Sequence, residues 1–127
     1  MVSLSSSLIR VLVVDDHELT RFYLKVALQS YPDIQLVGLA TNGQEAVDIA
    51  AASHPDVIIL DLNMPVLDGV SASKQIKSIA PDIKIIGYSS IQAPYVQSLL
   101  EAAQLDAFCD KSTLTQDLIH LARELVQ

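Results

Sequence analysis

Five short apolar runs recur along the chain at near-regular intervals: Ile9–Val14, Ile34–Leu39, Val57–Leu60, Ile83–Tyr88 and Ala107–Cys109. Most are rich in Val and Ile and lack the alternation of a half-exposed strand, so they read as strands buried on both faces. Between them, apolar or small residues return every three to four positions, the period of a helix. Leu19, Phe22, Tyr23, Val26 and Ala27 predict one apolar face, Ala46, Ile49, Ala50 and Ser53 a face of small residues, and Val70, Ser73, Ile76 and Lys77 a weaker one. Tyr95, Leu99 and Ala102 predict a fourth, and Leu114, Leu118, Leu121 and Leu125 the last.

Boundary residues agree with this pattern. Asn42 with Glu45, and Thr113 with Gln116, have the spacing of helix-capping pairs. Pro94 suits a first helical position. Pro32, Pro55 and Pro81 each stand just ahead of a strand, where the preceding helix must already have stopped. A strand–helix unit repeated five times implies an α/β chain with a parallel sheet, right-handed crossovers and helices on both faces, doubly wound in the order 2-1-3-4-5. In such a sheet a site forms beyond the carboxyl ends of the strands.

Those ends carry the chemistry. Asp15 and Asp16 follow the first strand, Asp61 the third (inside DLNMPVLDG), Ser89 and Ser90 the fourth, and Lys111 the fifth. Charges rarely end an apolar strand without a partner. Asp15, Asp16 and Asp61 carry −3, Lys111 returns +1, and the remaining −2 matches a divalent cation. An all-oxygen donor set favours Mg²⁺ or Mn²⁺ over zinc. Such ions often share their shell with a phosphate oxygen, and a carboxylate can itself accept a phosphoryl group. Asp61, at the end of the middle strand, is the candidate acceptor. Asp15 and Asp16 would hold the metal, Lys111 would pair with a phosphoryl oxygen, and Ser89 would donate its hydroxyl. A lone Asp–Asp pair is ordinarily a solvated turn or a cap; its convergence with Asp61 and Lys111 at matching strand ends makes it a site. His17 starts a helix and is expected to face solvent, His54 and His120 read as loop and helix-surface residues, and Cys109 reads as a small core residue.

VLVVDD, DLNMPVLDG, Ser89 and Lys111, in this order and spacing, resemble the receiver domain of two-component response regulators. The resemblance runs from Ile9 to about Val126 and is nearest in pattern to the subfamily often fused to helix-turn-helix DNA-binding domains. It implies a flavodoxin-like (βα)5 three-layer sandwich. It implies that Asp61 is the phospho-acceptor, Asp16 a direct and Asp15 a water-mediated metal ligand, and that the backbone carbonyl of Asn63 completes the metal shell. Ser89 matches the switch hydroxyl, Lys111 the family lysine, and Phe108 the switch aromatic. Asn63 and Ile91 flank the expected phosphate and tune its hydrolysis; an aliphatic Ile91 cannot orient the attacking water. The implied partners are a histidine kinase or phosphotransfer protein, a downstream effector protein or domain reached from the face of helix 4, strand 5 and helix 5, and a second copy in a phosphorylation-dependent dimer. The chain departs from the family at Ser112, where proline often follows the lysine, at Gln104–Leu105, where Gly-Ala is common, and at Ser90, where Ala or Gly is frequent. Gly87, inside a buried strand, has no account in the sequence alone. Tyr88, Ile91 and Tyr95 form either an exposed apolar patch or part of the core.

Composition narrows the function further. The length, 127 residues, fits one domain spanning 1–127 with its core at about 9–126. Half the residues are hydrophobic, 18% are charged and the mean hydropathy is +0.37, which excludes a disordered tail. One cysteine excludes a disulfide framework and a Cys-based zinc site. A net charge of −7 makes the surface a poor partner for nucleic acid or anionic membrane, so control of DNA would need a separate domain. The longest apolar runs, about five residues, fall far short of the roughly 18 a membrane helix needs. The start, MVSLSSSLIRVLVV, lacks the basic region of a signal peptide, and the expected location is the cytoplasm. An aspartate-nucleophile phosphatase of the haloacid dehalogenase type needs a second acid two residues after the nucleophile. Asn63 stands there, so the chain is read as a switch rather than an enzyme. The alternatives are the receiver piece of a DNA-binding transcriptional regulator and a receiver-like module that binds without phosphorylation.

Overall fold

The computed structural model describes residues 8–64, 66–90 and 93–127, with the backbone alone for residues 93 and 94. Ile91 and the serines at 3 and 5 to 7 lie outside the described residues. Strands and helices alternate: β1 (Ile9–Val14), α1 (Glu18–Gln29), β2 (Ile34–Ala40), α2 (Gly43–Ser53), β3 (Val57–Leu60), α3 (Gly69–Ile79), β4 (Lys84–Tyr88), α4 (Ala93–Ala102), β5 (Ala107–Cys109) and α5 (Thr115–Leu125). The strands form one parallel sheet in the order β2-β1-β3-β4-β5. Pro94 falls in the first turn of α4, as its fixed φ favours.

Alternate residues of the central strands feed two separate cores. Leu12, Val14, Ile58, Leu60 and Ile85 meet Ala46 and Ala50 of α2 and Ile76 of α3, with Leu99 and Leu100 of α4 packed alongside. Val11, Val13, Val57, Ile59 and Ile86 meet Leu24 and Leu28 of α1 and Leu118, Ile119 and Ala122 of α5. The small residues of α2 let that helix sit close to the sheet. Asn42 caps it as expected, its side chain accepting from Glu45 N at 2.9 Å, while the Glu45 carboxylate accepts from Thr41.

Three helices differ from their sequence reading: of the predicted α4 face only Leu99 packs on the core, Tyr95 and Ala102 being exposed, and α1 and α5 differ as follows. In α1 the predicted stripe is turned outward: Leu19, Phe22, Tyr23 and Val26 are all more than half exposed, and Leu24 and Leu28 are buried instead. Leu24 and Leu28 pack into the core with Val11, Val13 and Leu118, and Arg21, on the same face at intervals of three and four, donates its guanidinium to the Asp15 carbonyl at 2.8 Å. Thr113 does not cap α5. The Asp110 carbonyl and carboxylate accept from Thr113 N and Ser112 N, so residues 110–113 close a turn of their own and the helix begins at Thr115 with Leu114 before it.

Candidate functional site

The sheet's hydrogen bonding continues one residue past three strands and fixes what stands there. Asp15 N donates to Ala40 O, Asp61 N to Val14 O at 2.9 Å, and Ser89 N to Cys109 O. Asp15, Asp61 and Ser89 are buried, at 1%, 2% and 4% exposure, although all three are polar. The DLNMPVLDG segment then doubles back. Asp68 caps α3 by accepting from Ser71 N, and Gly69 packs so closely that a Cβ there would run into the Asp61 carbonyl oxygen. Only glycine lets the start of α3 brace the backbone of Asp61 this closely. In the same loop Val66 is held at φ 70°, a left-handed conformation that a β-branched residue rarely adopts.

These elements converge as the strand ends required. Lys111 Nζ stands 2.8 Å from Asp15 Oδ2 and 3.4 Å from Asp61 Oδ2. Ser89 donates its hydroxyl to Asp61 Oδ1 at 3.2 Å, and Asn63 N donates to the same oxygen at 3.1 Å. Asp15, Asp16 and Asp61 each offer an oxygen to one small cluster that could hold a metal ion. An open cleft of about 330 Å³ above them is lined by His17, Thr20, Asp61, Asn63, Ser89, Ser90 and Lys111. Asp16 is the exposed member of its pair, with its side chain 30% accessible, and Asp15 is the buried one.

Burial pushes the Asp61 carboxyl above its ordinary range; the Asn63 N–H and Lys111 pull it back, and the charge on Asp15 adds to the rise. Burial acts on the Lys111 ammonium in the opposite direction, but bonding and attraction from Asp15 and Asp61 outweigh it and hold its pKa above the usual lysine value. Asp15 Oδ2 is buried with the Lys111 ammonium beside it at 2.8 Å, a cation it shares with Asp61. Three carboxylates sharing one ammonium leave an excess of negative charge, and with their oxygen donors they fit a divalent cation.

Phe108 is half-buried on β5 and packs on the core beside α4. Gly87 opposite it is explained here: a Cβ would come within 2.8 Å of Leu105 Cδ1, 3.1 Å of Phe108 Cδ1 and 3.3 Å of Leu62 Cδ1. The missing side chain is the space the aromatic ring uses. The apolar trio divides, with Tyr88 buried at 4% exposure, Tyr95 exposed at 62% and Ile91 outside the described residues. The sequence reading missed Thr20 and the inward reach of His17. Its ring is 62% exposed, yet Nδ1 lies 2.8 Å from Asp15 Oδ1 and 3.2 Å from Asp16 Oδ1. The signal available was adjacency: the residue that precedes a helix, two positions after a buried aspartate, can fold its side chain back over the strand end.

Comparison with known proteins agrees with this geometry. Residues 11–123 match the family model described as response regulator receiver domain. The chain is 43% identical over 128 residues to protein-glutamate methylesterase/protein-glutamine glutaminase 1 of Methanosarcina mazei, covering 99% of this chain and 36% of that protein. It is 43% identical over 99 residues to transcriptional regulatory protein LiaR of Bacillus subtilis, covering 77% of this chain and 47% of that protein. The crystal structure of the response regulator domain of Thermotoga maritima CheB superposes with a TM-score of 0.85 at 35% identity, covering 94% of this chain and 96% of that one. The chain thus spans about a third of the length of the methylesterase relative and about half that of LiaR.

Proposed function

The chain belongs to the response regulator receiver family, and from that premise we propose that it is a phosphorylation-controlled switch whose acceptor is the Asp61 carboxylate. One observation carries the assignment: Asp61 is a buried carboxylate at the floor of an open cleft, with Ser89 on one oxygen and Lys111 beside the other. An Asp61 oxygen forms the new bond to phosphorus as the P–N bond of a phosphohistidine donor breaks. The imidazole leaves with the electron pair and takes a proton from solvent. Lys111 already stands where a phosphoryl oxygen needs a cation, and Ser89 can turn its hydroxyl from Asp61 to that oxygen. Mg²⁺ or Mn²⁺ held by Asp15, Asp16, Asp61 and the Asn63 carbonyl would neutralise phosphoryl charge.

The donor is a histidine kinase or phosphotransfer protein in the cytoplasm. Ser89 and Phe108 are the switch pair of this reading, so the signal leaves through α4, β5 and α5 toward an effector or a second copy. We read residues 1–127 as one receiver domain that accepts and slowly loses the phosphoryl group, with Asn63 and Ile91 setting the rate of loss. Incubation with acetyl phosphate and Mg²⁺ tests the assignment. Intact-mass analysis is expected to show a base-labile adduct of +80 Da that maps to Asp61 and is absent from Asp61→Asn. An adduct on another residue, or none, overturns it.

A further inference from the structure

The side chain that does not belong to the usual oxygen set is His17. We propose that His17 Nδ1 is a ligand of this pocket, so that the site takes imidazole-seeking transition ions such as Ni²⁺ and Cu²⁺ in preference to Mg²⁺. The inference rests on the reading of Asp15, Asp16 and Asp61 as metal ligands, and concerns what this chain adds to them.

Spacing carries the argument. Two ligands at neighbouring corners of an octahedron with bonds of about 2.1 Å are about 3.0 Å apart, and two at opposite corners about 4.2 Å. His17 Nδ1 stands 2.8 Å from Asp15 Oδ1, 3.2 Å from Asp16 Oδ1 and 3.9 Å from Asp61 Oδ2. The first two are neighbouring-corner separations, and the third lies within the span of one coordination shell. One donor atom from each of the four residues falls within 4.8 Å of all the others. The ring is also placed by its own backbone. His17 N donates to Asp15 Oδ1 at 2.9 Å, and Arg21 ties the first turn of α1 down through Asp15 O and His17 O. Asp15 and Asp61 share the one ammonium of Lys111, and Asp16 stands beside them, so the pocket keeps negative charge for a cation to neutralise.

Nδ1 lies 2.8 Å from Asp15 Oδ1, and the Nε2–H tautomer of the ring presents the Nδ1 lone pair to an ion. Carboxylates alone give Ni²⁺ a modest advantage over Mg²⁺; an imidazole nitrogen among them widens it, because nitrogen suits Ni²⁺ and Cu²⁺ and adds little for Mg²⁺.

Calorimetric titration of the full chain with Ni²⁺ and with Mg²⁺, on the unmodified protein, His17→Ala and Asp16→Asn, tests the proposal. His17→Ala is expected to weaken Ni²⁺ roughly tenfold or more while Mg²⁺ stays within about twofold, and Asp16→Asn to weaken both. Electron paramagnetic resonance of the Cu²⁺-loaded protein is expected to show imidazole nitrogen coupling that His17→Ala abolishes. The proposal is overturned if Ni²⁺ affinity survives the substitution, if both ions weaken together, or if the nitrogen coupling is missing. Failure of the unmodified protein to bind either ion removes the acidic metal site itself and the proposal with it.

Discussion

At the amino-terminal ends of the strands, charge is settled; at the carboxyl ends it is left open. Arg10 Nη1 donates to the carbonyls of Ser53 and His54 while its backbone N–H bonds Asp56. Lys77 Nζ donates to Ile83 O and Asp106 Oδ2, and Asp106 Oδ2 also accepts from Ile85 N. Arg123 grips both oxygens of Asp33 through Nε and Nη2 and stands over the Tyr31 ring. Each of these three cations has an acid or a set of carbonyls to itself. At the other end, three aspartates share Lys111 and the edge of His17. The same sheet has one end where polar groups join the strands to their helices and another where they remain available to a ligand. The second end is costly to fold, and a protein retains such a cost where function needs it.

The largest effect is expected where the settled end is broken. Asp106→Ala leaves the Lys77 ammonium, whose side chain is only 10% exposed, facing carbonyls alone, and strips Ile85 N of its acceptor. Because Asp106 is itself 23% exposed, the cost is expected near 2–3 kcal/mol, read by urea unfolding. A loss no larger than a surface substitution gives would erase the distinction between the two ends. Next in size is Gly87→Ala, which inserts a methyl against Leu105 and Phe108. Overpacking of about 1–2 kcal/mol is expected, with the resonances of Phe108 shifted in NMR spectra as its ring is driven off the sheet.

At the open end the sign is expected to reverse. Asp61→Asn removes a carboxylate whose ionisation burial opposes, so in EDTA at pH 7 the variant should be the more stable by about 1 kcal/mol, a few degrees in Tm. A group whose folded pKa is raised contributes stability that is present below its unfolded pKa and lost as pH rises through the folded one. The advantage of Asp61→Asn should therefore shrink as pH falls and vanish below about 3.8. A less stable Asp61→Asn at pH 7 would mean that Lys111 and Asn63 more than compensate the burial.

What the sequence made legible follows from period and position. The β1, β3 and β5 spans stand where the apolar runs placed them, and in β1 and β3 this is because a strand buried on both faces has no other pattern. Asp15, Asp61, Ser89 and Lys111 meet because a parallel sheet gathers the ends of its strands whatever lies between. Helix rotation was not legible. In α1 both Leu19–Phe22–Tyr23–Val26 and Leu24–Leu28 make apolar stripes, and which one the sheet and α5 cover is a matter of tertiary packing that no periodicity records. Gly87 was opaque for the same reason: its meaning is the ring on the neighbouring strand. His17 faces solvent as expected, at 62% side-chain exposure; what the sequence did not show is that its Nδ1 also reaches Asp15 and Asp16.

The smallest effect tests the comparison most finely. Arg123 bonds Asp33 and holds its carboxyl below the ordinary range, with burial working slightly against that. Both side chains are more than a third exposed, so solvent screens the pair. Asp33→Asn is expected to lower Tm by only about 1–2 °C at pH 7, less in high salt. Here the sign is the opposite of that at Asp61. A depressed pKa contributes stability that is present above the unfolded value and lost as pH falls through the folded one. The deficit of Asp33→Asn should hold from pH 7 down to the ordinary carboxyl value near 3.8 and close only below it. Plotted together, Asp33→Asn should start below the unmodified protein and Asp61→Asn above it, the two converging on it in acid from opposite sides. Parallel curves would show that the ends of the sheet hold their charges in the same way.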